Sequence, residues 1–98
     1  MNQKSVTPPL RILVIDDEPG WCSTIGAYAE LLGHDWQGAT SFEQVKTDLQ
    51  KAVQEGVPFS VATIDMKFEV GKRRTEVSLG TGILEYIKSN HPHIACIM

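Results

Sequence analysis

The chain has 98 residues, 42% of them hydrophobic, and a formal charge of −3. That length allows one domain, the apolar share excludes a disordered chain, and the acidic balance excludes a dedicated nucleic-acid binder. Cys22 and Cys96 are the two cysteines, with no CxxC or Cys/His cluster; this argues against zinc and against a disulfide framework and reads as reduced, buried thiols.

Residues 1–9, MNQKSVTPP, are polar and form a loose leader without the apolar core of a secretion signal. No stretch approaches the ~20 apolar residues that span a bilayer, so the expected location is the cytoplasm, with no membrane contact. Leu10–Ile15 is a short apolar run that ends in Asp16-Asp17. Such a run reads as a strand buried on both faces of a parallel sheet. Asp17-Glu18-Pro19 then opens a helix, with acids at the positive end of its dipole and proline in the first turn. Ile25, Tyr28, Ala29 and Leu32 give that helix its apolar spacing, and Gly33 ends it.

His34–Ala39 is a second strand centred on Trp36. Thr40 with Glu43 and Ser41 with Gln44 form two overlapping capping boxes. Phe42, Val45, Leu49 and Ala52 line the helix that follows, which stops at Gly56-Val57-Pro58. Phe59–Ile64 is a third apolar strand, and it too ends in acid, Asp65. A third helix carries Ile83, Leu84 and Ile87 and fades at Ser89-Asn90-His91-Pro92; Ile94–Met98 starts a fourth strand. The alternation predicts parallel strands joined by right-handed crossovers.

Carboxylates at the ends of neighbouring parallel strands lie where open α/β sheets bind ligands. Asp16, Asp17 and Asp65 together make an anionic pocket that calls for a hard cation, Mg²⁺ being the usual one. Each has a plainer reading. Asp16-Asp17 is also a good helix cap, and Asp65 is also an ordinary turn residue. Lys72-Arg73-Arg74 reads as a solvated loop tip or as a contact for a partner or phosphate donor. His34, His91 and His93 read as surface residues, and Trp21 and Trp36 as packing groups.

The ordered segments ILVIDDEP, LLGHDWQGATSFEQV, PFSVATIDM and GTGILEYIKSNHP resemble the receiver domain of two-component response regulators over nearly all of residues 10–98. The resemblance implies a three-layer α-β-α, flavodoxin-like parallel sheet with strand order 2-1-3-4, the family's fifth strand and helix falling outside this chain. It implies a signalling module rather than a turnover enzyme. Asp65 would be the phosphoacceptor, supplied by a histidine kinase or a histidine phosphotransfer protein. Asp17 would bind Mg²⁺ directly, Asp16 would act through the metal or its water, and Asp65 and the backbone carbonyl of Lys67 would complete the metal set.

Two departures from the family pattern stand out. Between Asp65 and Gly80 the chain reads MKFEVGKRRTEVSL, longer by about seven residues than the family's short loop with its Met-Pro pair. Phe68 and Val70 against Val77 and Leu79 suit a small hairpin, and a disordered loop fits equally. The second departure is that no residue matches the family's Ser/Thr or Lys. Residues 10–98 therefore read as an incomplete receiver domain, with Ile94–Met98 as a naked edge strand through which chains would associate. Two rivals follow. A pseudo-receiver would keep the fold and bind partners without phosphorylation. A Mg²⁺-dependent phosphohydrolase would need a second Asp two residues past its nucleophilic Asp, but Asp16 is followed at that spacing by Glu18 and Asp65 by Lys67.

Overall fold

In a computed structural model of the chain, residues 9–65 and 74–97 are described, with side chains for all of these except 74–80. The elements run in the order β1 (Arg11–Ile15), α1 (Pro19–Leu31), β2 (Asp35–Ala39), α2 (Phe42–Gln54), β3 (Val61–Ile64), α3 (Arg74–Asn90) and β4 (Ala95–Ile97). The strands form one parallel sheet in the order β2-β1-β3-β4. This is the expected order.

Pleating assigns the two faces, because successive side chains of a strand point to opposite sides. Leu13 and Ile15 of β1 and Ala62 and Ile64 of β3 join Val45 and Leu49 of α2 and Ile83 and Ile87 of α3 in the main core. Phe59 and Ile94 close its lower end. α1 covers the other face, so the molecule has three layers. Its contact surface is made of Cys22, Gly26 and Ala29. Trp36 of β2 lies against Gly26, where a Cβ would run into the indole.

Burial on α1 differs from the expected pattern. Ala29 is buried as predicted, but Ile25, Tyr28 and Leu32 are exposed. The physical reason is the Trp36 ring: it needs small residues opposite it, so the flank of α1 that carries 22, 26 and 29 turns inward. Trp21, expected to pack, is 55% exposed.

Helix ends follow the sequence closely. Ser41 caps α2, its hydroxyl accepting from the Gln44 amide at 3.1 Å. Thr40 does not pair with Glu43 as the spacing suggested. Its amide and hydroxyl donate instead to Gln44 Oε1, at 3.0 and 3.3 Å, and Glu43 pairs with Lys46. Gly33 and Gly56 take positive φ values of 86° and 78° just past α1 and α2, the backbone turn that favours glycine at a helix end.

Three further sequence expectations change. α3 begins at Arg74, ahead of Gly80, so Val77 and Leu79 are helical and cannot form the second limb of a hairpin. The first limb, at Phe68 and Val70, lies outside the described residues. His91 is buried, its ring lying tilted against that of Tyr86 and edge-on to that of His93. Burial and the neighbouring His93 push its pKa down. His34 is half-buried, with its Nδ1 accepting from the Leu10 amide at 3.0 Å. Both rings are drawn in by the chain reversal beside them.

Candidate functional site

Each acid is placed by a strand that the core holds in register. Ile15 of β1 is paired with Ala39 of β2 and with Ile64 of β3. The ladders continue one step beyond the strands. The Asp16 amide donates to the Ala39 carbonyl at 3.1 Å, and the Asp65 amide donates to the Ile15 carbonyl at 3.0 Å. Asp16 and Asp65 therefore leave the sheet side by side at its C-terminal edge, and Asp17 follows at the start of the turn into α1.

Asp16 is the most enclosed of the three, at 2% exposure. Its Oδ1 accepts from the Glu18 amide at 2.9 Å. Its carboxyl also reaches those of Asp65 and Asp17. Burial and these acid neighbours push its pKa up to about 6, against the lowering effect of the Glu18 amide. The capping explanation of these acids does not hold. The residue at the N-cap of α1 is Glu18, without a side-chain cap, and Pro19 occupies the first turn. Asp16 spends its oxygen on the turn before the helix, not on the helix.

Sequence reasoning treated Cys22 as a packing thiol alone. Its Sγ lies 3.5 Å from the Val14 carbonyl oxygen and 3.6 Å from that of Asp16. It thus fills the space directly behind the acidic edge, and burial raises its pKa. The only sequence signal for this was its place four residues past Glu18 on the inward flank of a helix.

An all-oxygen set with a buried carboxyl held above its usual pKa suits a hard cation such as Mg²⁺ in charge and donor type. Among the described residues, however, no three His, Cys, Asp or Glu side chains converge as a metal-binding group. Lys67, expected to lend its carbonyl, lies outside the described residues. A separate polar pocket lined by Arg11, Gln37, Asp48, Lys51 and Glu55 lies toward the opposite edge of the sheet, where β1 begins, and mixes both charge signs. Among the described residues no helix is long and apolar enough to cross a membrane.

Three solved structures share this architecture. A response regulator receiver domain protein from Clostridium thermocellum superposes with a TM-score of 0.65 at 30% identity, over 89% of this chain and 61% of that one. NtrX from Brucella abortus, solved in complex with ATP, gives a TM-score of 0.67 at 22% identity, over 91% of this chain and 18% of that one. The signal receiver domain of a putative Luxo repressor protein from Vibrio parahaemolyticus gives 0.62 at 13% identity, over 91% of this chain and 59% of that one. The chain thus spans less than two thirds of each. No protein-family model matches it, and no curated protein does. In fold and in strand order the chain is similar to the receiver domains of response regulators.

Proposed function

We propose that the chain is a phosphoacceptor module of a two-component phosphorelay, taking a phosphoryl group on Asp65 from a histidine kinase or a histidine phosphotransfer protein. The observation that carries this reading is the pairing of Asp16 with Asp65 one step beyond the β1–β3 ladder. An Asp65 carboxylate oxygen would form the new P–O bond as the P–N bond to the donor imidazole breaks. The imidazole nitrogen leaves with the electron pair and takes up a proton. Such a transfer needs positioning and charge neutralisation more than covalent assistance. Asp16, Asp17, Asp65 and the Lys67 carbonyl are the groups that would hold Mg²⁺. The ion would supply the positive charge that a phosphoryl group needs beside three acids. The Glu18 amide holds the Asp16 carboxyl in place beside Asp65. Transfer is self-catalysed within the module, which is not a turnover enzyme, and the cytoplasm is its expected place of work.

A pseudo-receiver that binds partners without phosphorylation is the second reading. It is favoured by one observation: among the described residues the acids do not converge as a ready metal group.

The deciding experiment is ¹⁹F NMR of beryllofluoride, a phosphoryl mimic, with this chain and with Asp65→Asn. A bound signal that requires Mg²⁺ and disappears in the variant is expected. Mg²⁺ binding without any bound beryllofluoride would overturn phosphoacceptance and leave the pseudo-receiver.

A further inference from the structure

On the face that carries the main core, the seam between α2 and the strands β1 and β2 turns polar toward the start of β1. Gln37 of β2 is the register partner of Leu13 and so points to the same face of the sheet. Leu13 enters the core, whereas Gln37 brings an amide to the seam. Asp48, Lys51, Ala52 and Glu55 recur along α2 at steps that share one flank, and Arg11 enters from β1. These six residues line a cavity of about 100 Å³. That is well below the roughly 300–1,000 Å³ of a drug-sized site. Ala52 is the one apolar member of the lining.

Four charges border this cavity, two of each sign, and they do not neutralise one another. Among the described residues the one ion pair is Lys46 with Glu43; Arg11, Asp48, Lys51 and Glu55 take part in none. Two of the four are held in place. The Arg11 guanidinium lies over the Phe59 ring, 4.5 Å from its centroid, and its Nε donates to the Val57 carbonyl at 2.8 Å. Its terminal nitrogens are left for a further acceptor. Asp48 is half-buried, and its Oδ2 is buried without a hydrogen-bond partner. Burial pushes the Asp48 pKa up, while a hydrogen bond from the Gln37 side chain and the charge of Lys51 pull it down. Buried polar atoms are normally paired, so this carboxyl calls for a donor.

We infer that this cavity binds a small zwitterion, a free α-amino acid in chemical class, with its ammonium on Asp48 and its carboxylate on Arg11. Charge selects the occupant. An anion alone would meet the carboxylates of Asp48 and Glu55, and a cation alone would meet Arg11 and Lys51. A solute that carries both charges on neighbouring groups satisfies both pairs. The terminal nitrogens of a guanidinium match the two oxygens of a carboxylate, and an ammonium is a donor with no acceptor of its own. Lys51 and Glu55, both exposed, add one further charge of each sign at the rim. Size agrees with charge. The cavity admits few heavy atoms, so any large side chain of the amino acid projects into solvent.

The cavity is built from residues 11–55 at the sheet edge opposite Asp65, and this inference does not rest on phosphorylation. The test is a ¹H–¹⁵N NMR titration of the full chain with glycine at neutral pH. Acetate and methylammonium serve as the two half-ligands. Glycine should give saturable shifts of the Asp48, Lys51 and Glu55 amides. Each half-ligand should bind about tenfold more weakly, or worse, because it forgoes a charged hydrogen bond. Asp48→Asn and Arg11→Gln should each weaken glycine binding by a similar factor. The control Glu85→Gln, an exposed site on α3, should leave it unchanged. Circular dichroism checks that each variant is folded, and the ligand comparison on the parent chain decides the matter if one is not. The assignment is overturned by the absence of saturable shifts, by glycine binding unchanged in Asp48→Asn, or by acetate binding as tightly as glycine.

Discussion

The carboxyl of Asp16 reaches that of Asp65 across the end of the β1–β3 ladder, although the two are 49 residues apart in sequence. Neither side chain is brought there by a local motif. The pairing of Ile15 with Ile64 puts them together, and the same two isoleucines are part of the main core.

This closeness has a cost that pH reveals. The Asp16 pKa is raised in the folded chain to about 6 from an ordinary 3.8. The folded state therefore binds the proton more tightly than the unfolded state. Its contribution to stability is fully present below the unfolded value and is lost as pH rises through about 6. In EDTA, urea melts should show stability falling by on the order of 2 kcal/mol from about pH 4 to pH 7. Asp16→Asn should flatten that slope and stabilise the metal-free chain at neutral pH. A slope unchanged in the variant would locate the titration elsewhere.

Metal removal should act in the opposite sense at neutral pH. Mg²⁺ raises the melting temperature of the parent chain if the acids hold it, because a ligand of the folded state stabilises by mass action. Asp17→Asn should weaken Mg²⁺ binding roughly tenfold or more, read by calorimetry, while the metal-free melting temperature changes little.

Gly26→Ala separates helix propensity from packing. Alanine favours a helix interior over glycine by about 1 kcal/mol. Here the added methyl runs into the Trp36 ring, and overpacking of this kind costs about 1–3 kcal/mol. A net loss of stability, with a red shift of Trp36 emission, is expected in chemical denaturation. A gain would mean that the indole moves aside freely.

The two thiols should be distinguishable by a thiol reagent. Cys96 is half-buried, whereas Cys22 is buried beneath α1. Burial raises the pKa of both thiols, so access decides: under native conditions Cys96 should react first, and Cys22 only at the rate of unfolding, since its sulfur is hidden. Equal rates would show that α1 lifts from the sheet.

Removing the cap of α2 should cost about 1 kcal/mol. Ser41→Ala loses the bond to the Gln44 amide, and Ser41→Asp should restore most of the stability in thermal melts.

Much of this architecture is legible in the residues. Apolar runs ending at Ile15 and Ile64 announce buried parallel strands, and Ser41, Gly33 and Gly56 mark helix ends by side-chain and backbone chemistry that acts within a few residues. The acids could be placed because each follows such a strand directly. What escaped the sequence depends on partners far along the chain. Ile25, Tyr28 and Leu32 have the spacing of a core face, yet Trp36 selects the flank of Cys22, Gly26 and Ala29 instead. The start of α3 escaped for a different reason: the alternation of Val77 and Leu79 suits a strand as well as a helix, and short apolar patterns do not separate the two. His91 was misplaced because a histidine beside a proline reads as a surface turn until Tyr86 and His93 enclose it.

Among the described residues the sheet contains no hairpin, and this bears on how the chain is assembled in time. Every ladder is parallel. The bond from Leu10 to His34 spans 24 residues, and that from Arg11 to Ser60 spans 49. No two strands can zip together from a turn; each pairing must wait for a helix to be laid between them. A ribosome-bound chain that has not yet exposed Val61 possesses only β1 and β2, with the inner edge of β1 unpaired. Commitment to the fold thus waits for β3, which slides in at the centre of the sheet. Folding should accordingly be slower than for a helical bundle of equal length.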